Sequence, residues 1–230
     1  MQKNFVVDIK ELIPTVNDSN FNRILAIGDL HTALDKLSSL WQKISVTDND
    51  LVIFLGDYFN FVDADKDLQT LDWIIEHSEQ QNLIFLRGNQ EDYLLEKNFD
   101  IPEEIIYFLD NMPTHYEITV GGRKYFFCHA GIDVDVQLSE QNKYALVWLY
   151  ECENFYSDYF GDAVIVVGHK SPKKVYSYFP KLFANAAKDI CFTEPTRIPD
   201  KNILLLDTRA KDVAGFLSCV DILSGEFWQS

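Results

Sequence analysis

Six side chains that could hold divalent metal ions lie in short motifs spread along the chain. The motifs are GDLH at 28–31, GDYFN at 56–60, GNQE at 88–91, CHAG at 128–131 and GHK at 168–170. They supply two carboxylates, three imidazoles and one amide oxygen, from Asp29, His31, Asp57, Asn89, His129 and His169. Such a donor set suits two divalent transition metals that share one bridging carboxylate. The glycines permit the sharp turns that would direct the next side chain into a common site.

Each motif taken alone has a structural alternative. A Gly-Asp pair often marks a turn, and a single histidine beside Cys128 is typical of a buried core position. The shared placement of the motifs at predicted strand ends favours the functional interpretation. The other two histidines, His77 on a predicted helix and His115 before a predicted strand, are interpreted as structural.

The first part of the chain alternates strands and helices. Short apolar runs predict strands at 24–27, 51–55 and 83–86, and a motif follows each one. Helices are predicted between them, the first capped by Thr32 and the second covering 67–80. This alternation predicts βαβ crossovers and a parallel sheet, and such sheets bind ligands at the carboxyl ends of their strands.

The second part of the chain is predicted to be richer in strand and antiparallel. A hairpin is expected to turn at Gly121-Gly122, because adjacent glycines supply the positive φ of a tight turn. The remaining predicted elements are a helix at 138–150, strands at 163–167 and 203–206, and a final hairpin of 213–223 with 226–228. No repeat or linker interrupts the sequence, so residues 1–230 are predicted to form a single domain.

Composition excludes several classes of function. The chain carries 36 acidic and 20 basic residues, with a formal net charge of −16, which argues against coating of nucleic acid or of an anionic membrane. No apolar stretch approaches the ~20 residues of a membrane span, and the N-terminus lacks the apolar core of a signal peptide. Four scattered cysteines indicate reduced thiols, so a cytoplasmic location is expected. The oligomeric state is left open.

The order of the motifs resembles that of the calcineurin-like metallophosphoesterases, and within them the bacterial relatives of serine/threonine protein phosphatases and diadenosine tetraphosphatases. The resemblance covers about residues 21–228. It implies an α/β fold, an αββα sandwich of mixed sheets flanked by helices. It also implies that Asp29 and His31 bind the first metal ion, that Asp57 bridges, and that the second ion is bound by Asn89, His129 and His169.

The resemblance further implies two divalent ions, with Mn²⁺ expected and Fe or Zn as alternatives. In a two-metal site a shared water has a lowered pKa, and the resulting hydroxide attacks phosphorus. The implied substrate is a phosphorylated small molecule, a nucleotide or a phosphoprotein. Catalytic positions of the family fall on Asp57, Asn89, Gln90 and Asn60.

The chain departs from the family pattern at the groups that handle the substrate. Gln90 stands where the family has its catalytic histidine, and Asn60 stands at the paired aspartate. The two phosphate-clamping arginines are replaced by Phe61 and Tyr150. Neither an amide nor an aromatic ring reproduces those functions.

Basic residues elsewhere could replace the lost positive charge or could be solvated surface charges. They are Lys170, which follows a ligand position, and Arg209 and Lys211, which follow a Leu-Asp-Thr segment resembling a family element near the site. Tyr150, Lys170 and Arg209 are therefore the candidate substrate-binding residues.

Three interpretations follow. The first is a binuclear phosphoesterase of altered activity, best suited to aryl esters and phosphoanhydrides, whose good leaving groups need little acid catalysis. The second is a pseudophosphatase that serves as a metal-stabilised binding or scaffold module. The third, a plain metal-binding or storage protein, has the least support in the sequence.

Overall fold

The computed structural model describes residues 21–97, 102–184 and 191–230. The strands in these ranges are β1 (Arg23–Ile27), β2 (Asp50–Phe54), β3 (Leu83–Phe85), β4 (His115–Val120), β5 (Arg123–Cys128), β6 (Val164–Val167), β7 (Thr196–Arg197), β8 (Ile203–Leu205), β9 (Ser218–Asp221) and β10 (Phe227–Gln229). The α-helices are α1 (Leu34–Ile44), α2 (Ala64–His77), α3 (Asn89–Glu96), α4 (Glu103–Asp110), α5 (Lys143–Val147), α6 (Phe155–Asp158) and α7 (Pro172–Tyr178).

The first sheet has the order β10-β9-β1-β2-β3. Strands β1, β2 and β3 are parallel, as predicted, because α1 and α2 return the chain to the same end of the sheet. Strands β9 and β10 complete the sheet as an antiparallel pair beside β1. The carboxyl ends of the three parallel strands therefore meet at one edge.

The second sheet has the order β4-β5-β6-β8-β7 and is mixed. The predicted β4–β5 hairpin is confirmed, with φ of 58° at Gly121 and 79° at Gly122. The prediction of an antiparallel second half is wrong, because β5, β6 and β8 are parallel. The segments that contain α5, α6 and α7 are long enough to form crossover connections, which a parallel pair requires.

The two sheets pack face to face, and helices cover their outer faces. Along β1, Ile24 and Ala26 pack into the core shared with the second sheet, whereas Leu25 and Ile27 pack into the core that contains α1. This alternation follows from the two-residue period of a strand. Helices α5, α6 and α7 pack on the far face of the second sheet. The predicted αββα arrangement is confirmed.

Two helix starts differ from the prediction. Helix α1 begins one residue later than a Thr32 cap requires, and Ala33 at its cap position makes no side-chain hydrogen bond. Thr32 has a φ of 61°, and its hydroxyl instead accepts a hydrogen bond from the Asn60 amide. Helix α2 starts at Ala64, because Asp63 accepts from the backbone N–H of Lys66 and so caps it.

Two longer elements are also corrected. The helix predicted at 138–150 is a 3₁₀ turn at Leu138–Glu140 followed by the short α5, whose first turn is capped by the Asn142 side chain. The strand predicted at 213–223 begins only at Ser218. Residues 207–216 form a loop before it, referred to below as loop 207–216.

Helices long and apolar enough to cross a membrane do not occur among the described residues. The expectation about a signal peptide concerns residues 1–20, which lie outside the described ranges. All four cysteines are free, as expected from their scattered positions.

Candidate metal centre

The candidate ligands all lie beyond the carboxyl ends of parallel strands, five of them in loops and Asn89 at the first residue of α3. Asp29, Asp57 and Asn89 follow β1, β2 and β3, and the histidines 129 and 169 follow β5 and β6. The two sheets thus present five of the six predicted ligands at one edge, and His31 joins them from the loop after β1. Among them, Asp29 and Asp57 are each 3% exposed and His129 is fully buried.

The first group of donors consists of Asp29, His31 and Asp57. Nε2 of His31 lies 3.7 Å from Oδ2 of Asp29 and 3.8 Å from Oδ2 of Asp57. One donor atom from each residue lies within 4.8 Å of the others. These separations leave room for one cation at the centre of the group.

The second group consists of Asp57, His129 and His169, with Asn89 between the histidines. Nε2 of His129 lies 3.3 Å from Oδ1 of Asp57 and 2.9 Å from Oδ1 of Asn89. Nδ1 of His169 lies 2.9 Å from the same Asn89 oxygen. Asp57 belongs to both groups through different oxygens, Oδ2 in the first and Oδ1 in the second.

The imidazoles of His31 and His129 are oriented as metal ligands are. Nδ1 of His129 lies 2.8 Å from the carbonyl oxygen of Leu55, and Nδ1 of His31 lies 3.1 Å from that of Phe59. Each carbonyl oxygen accepts a hydrogen bond from the Nδ1–H group of its histidine, so the Nε2 lone pair faces the carboxylates. Lone pairs that converge on carboxylate oxygens repel one another unless a cation lies between them. The donors present therefore fit divalent metal ions.

Burial keeps the histidines neutral and makes the carboxylates difficult to ionise without a cation. Burial lowers the pKa of His31 and of His169 to about 4 each and lowers that of His129 well below its usual value. Burial, followed by the neighbouring charges of other carboxylates, raises the pKa of Asp29 and Asp57 well above their usual range. Neutral imidazoles beside carboxylates in need of positive charge are the protonation states that bind a metal.

Backbone geometry at the centre is unusual for non-glycine residues. His31, Asp57 and His169 all have positive φ, at 45°, 56° and 61°. A left-handed conformation at such residues carries strain that the surrounding structure must hold in place. Neighbouring glycines permit the close packing: a Cβ on Gly88 would lie 2.2 Å from the backbone nitrogen of Asp57, and one on Gly168 would lie 2.1 Å from Oδ1 of Asp29.

Glu91 holds two of the ligand loops together. Its fully buried carboxylate accepts hydrogen bonds from the backbone N–H groups of Asp57, Tyr58 and Gly88, at 2.9, 2.8 and 2.8 Å. The loop after β2 is thereby fixed to the start of α3. A carboxylate with three backbone donors is a strong positioning element.

Asn60 and Gln90, the residues at the catalytic pair positions, serve other contacts. The Asn60 amide donates to Oγ1 of Thr32 at 2.8 Å, and its oxygen accepts from the Val62 N–H at 2.9 Å. The backbone N–H of Gln90 donates to Oδ1 of Asp57 at 2.9 Å. Across the described ranges no hydrogen bond joins the Gln90 and Asn60 side chains, so these residues do not form a pair.

The three candidate substrate-binding residues lie in different surroundings. Tyr150 is 59% exposed and stacks on Trp148 with ring centroids 5.6 Å apart. Lys170 pairs with Glu153 at 2.5 Å. Arg209 pairs with Asp212 at 2.6 Å, so both basic groups already have an acidic partner.

Asp207 and Lys211 also act on the centre; the sequence indicated Lys211 only as a possible replacement charge and gave Asp207 no role in the site. After burial, the charge of Asp207 is the largest influence raising the pKa of Asp29. Burial raises the pKa of Asp207 itself to about 6, and Lys211 opposes that rise. Asp207 comes just after β8, as the candidate ligands come just after their own strands. A search for polar residues at the carboxyl ends of predicted strands would therefore have found it as well.

Comparison with known protein families gives a match over the part of the chain that contains the five motifs. Residues 22–194 match the family described as Calcineurin-like phosphoesterase. No protein of curated function matches the chain.

Three solved structures share the fold at low sequence identity. A candidate diadenosine tetraphosphatase aligns with a TM-score of 0.67 and 16% identity, covering 94% of this chain and 95% of its own. A protein serine/threonine phosphatase from Saccharomyces cerevisiae aligns at 0.55 and 13%, covering 90% and 75%. A metallophosphoesterase from Sphaerobacter thermophilus aligns at 0.52 and 14%, covering 90% and 88%. All three support the arrangement of two mixed sheets flanked by helices.

Proposed function

Because the chain belongs to the calcineurin-like phosphoesterase family, we propose that it hydrolyses phosphoric esters or anhydrides at a binuclear metal centre. The observation that carries this proposal is the position of Asp57 in both donor groups. Asp29 and His31 complete the first group, and His129 and His169 complete the second. A carboxylate shared between two such groups is the arrangement that holds two ions side by side.

Two divalent ions bound there would lower the pKa of a shared water and stabilise charge on the phosphoryl oxygens. Mixed nitrogen and oxygen donors suit Mn²⁺, with Fe and Zn as alternatives. The chain's own contribution is positioning: the Gln90 N–H fixes Oδ1 of Asp57, and the Leu55 carbonyl sets the tautomer of His129. The Glu91 carboxylate accepts a hydrogen bond from the backbone N–H of Asp57 and so fixes the backbone at that residue.

The substrate class follows from the absence of a proton donor at the usual position. Gln90 and Asn60 carry amides, which cannot protonate a leaving alkoxide. General acid catalysis is worth roughly 10²–10⁴ in rate, so alkyl phosphates should be poor substrates. Aryl phosphoesters and phosphoanhydrides, including those of nucleotides, have leaving groups that depart without it. These are the substrates we assign to the centre.

Metal-loaded protein should therefore hydrolyse p-nitrophenyl phosphate, its bis ester or a dinucleoside polyphosphate. Asp29→Asn should reduce that turnover by more than about a hundredfold, because a ligand is lost with little change in side-chain size. The matched control Asp48→Asn, at an exposed acid away from the motifs, should leave the turnover unchanged. If Asp29→Asn removes no turnover from any of the three substrates, the proposal is wrong.

A scaffold function is the second candidate, and the observation that favours it is that no hydrogen bond joins Asn60 to Gln90 in the described residues, where the family has its catalytic pair. The double variant Gln90→His with Asn60→Asp distinguishes the two. An impaired enzyme should gain kcat by about 10²-fold or more on an alkyl phosphate such as β-glycerophosphate, with a much smaller gain on p-nitrophenyl phosphate. The two single variants serve as controls and should gain less than the double variant. Retained metal binding with no gain on either substrate would favour the scaffold.

A further inference from the structure

Apart from the proposed metal ions, the site has few free basic side chains to hold an anionic substrate. Phe61 and Tyr150 occupy the positions of the family's arginines, and the protein as a whole carries a net charge of −16. Lys170 and Arg209 are engaged by Glu153 and Asp212. By contrast, Lys211 is exposed and makes no ion pair within the described part of the chain.

The charge of Lys211 nevertheless acts on candidate ligands of both donor groups. Burial is the largest influence on the pKa of each carboxyl and imidazole there, and the charge of Lys211 opposes protonation at four of them. The four are Asp29, His31, Asp57 and His169. They come from three different ligand loops and from both donor groups. A cation whose charge acts on both groups can also act on an anion shared between them.

The backbone that carries Lys211 is packed directly against the first ligand loop. A Cβ on Gly28 would lie 2.4 Å from the carbonyl oxygen of Leu206, so the chain enters loop 207–216 in contact with the GDLH motif. The Gly28 N–H donates to the Ser218 carbonyl at 3.2 Å, just after the same loop ends. Both ends of loop 207–216 are therefore anchored beside Asp29.

The loop itself is held by several hydrogen bonds. The ammonium group of Lys36, on α1, donates hydrogen bonds of 2.7 Å to the carbonyl oxygens of Ala210, Asp212 and Gly215. The hydroxyl of Thr208 donates to the Phe216 carbonyl at 2.7 Å and closes the base of the loop. Because all three carbonyl oxygens accept from the same Lys36 ammonium group, the loop is fixed to α1, the helix that follows His31. A side chain mounted on such a loop is preorganised for binding.

We propose that Lys211 is the residue that binds the phosphoryl group of the substrate, from loop 207–216 and in place of the missing arginines. The proposal rests on the proposed function and adds to it the side chain that binds the substrate. An ammonium is a compact point charge with no bidentate geometry. It should therefore favour the dianionic phosphoryl group of a monoester over the monoanion of a diester.

Binding of inorganic phosphate to the metal-loaded protein, measured by calorimetry, tests this assignment without requiring turnover. Lys211→Met should weaken phosphate binding about tenfold, equivalent to about 1.4 kcal/mol, while Lys211→Arg should stay within about threefold of the parent. Lys124→Met is the matched control, because Lys124 is a paired lysine near the start of β5, at the far end of the strand from His129. It should bind phosphate as the parent does, and all variants should retain their metal content.

Kinetics supply a second readout. Lys211→Met should raise KM for p-nitrophenyl phosphate more than KM for the bis ester, because only the monoester presents a dianion. The assignment would be overturned if the Kd of Lys211→Met for phosphate stayed within twofold of the parent value. It would also be overturned if Lys124→Met lost as much phosphate affinity as Lys211→Met. A parent that binds phosphate in a Lys211-dependent way but hydrolyses nothing would overturn the proposed function alone.

Discussion

Asp57→Asn is expected to leave the protein folded but unable to hold two metal ions. The parent should bind two equivalents of Mn²⁺ and the variant at most one, because Asp57 supplies a separate oxygen to each donor group. An ion at a hundredfold excess over its Kd stabilises the folded state by about 2.7 kcal/mol for each site. At about 2–4 °C per kcal/mol for a chain of this size, two sites should raise the Tm of the parent by roughly 10–20 °C.

Without metal, Asp57→Asn should be at least as stable to heat as the parent. Burial, together with the charge of Glu91, raises the pKa of Asp57, so the ionised carboxylate is unfavourable without a cation. An amide removes that cost and keeps an oxygen for the Gln90 N–H, so the metal-free Tm should equal or exceed that of the metal-free parent. Metal content and thermal denaturation with and without Mn²⁺ measure both effects, with Asp48→Asn as the exposed control. Two ions and a full Tm increment in Asp57→Asn would contradict the bridging role.

Glu91→Ala is expected to cost about 3–5 kcal/mol of folding free energy in the metal-free protein. The substitution leaves three buried backbone donors without an acceptor, at Asp57, Tyr58 and Gly88. Each such donor costs about 1–3 kcal/mol. Relief of repulsion between Glu91 and Asp57 offsets part of the cost of the three donors, which places the net loss in the lower half of their sum. Urea unfolding monitored by circular dichroism measures it.

Glu96→Ala is the control for this change, because Glu96 lies exposed in the last turn of the same helix. It should alter stability by no more than about 0.5 kcal/mol. The Glu91 variant should also lose metal affinity, since the left-handed backbone at Asp57 is held by the hydrogen bond that the substitution removes. A loss below about 1 kcal/mol with metal affinity intact would show that Glu91 positions nothing.

The parallel half of the fold could be predicted from sequence because its signals are local. Strands β1, β2 and β3 are short apolar runs that end at a glycine-containing motif, and α1 and α2 separate them. The pairing of β5, β6 and β8 could not be predicted in the same way. Parallel and antiparallel strands have the same side-chain period, and the connection that decides between them is a tertiary feature.

Helix boundaries near the site were mispredicted because a tertiary contact outweighs a local preference. Thr32 is a residue type that caps helices well, but its hydroxyl is held by Asn60 from the loop after β2. That contact joins residues 28 positions apart and is not visible in a local pattern. Likewise, residues 213–217 have strand-like composition, yet the chain there completes loop 207–216 around the ammonium of Lys36.

Residue types and apolar periodicity were enough to predict which donor atoms are available and which strand ends they follow. Residue types also determined which substrate-handling residues differ from the family. The packing of the chain was needed to show that Asp57 faces two groups of donors, that Lys170 and Arg209 have acidic partners, and that Lys211 makes no ion pair in the described residues. These facts depend on distances between residues far apart in the chain. Such distances are set by the packing of two sheets, which no short stretch of sequence contains.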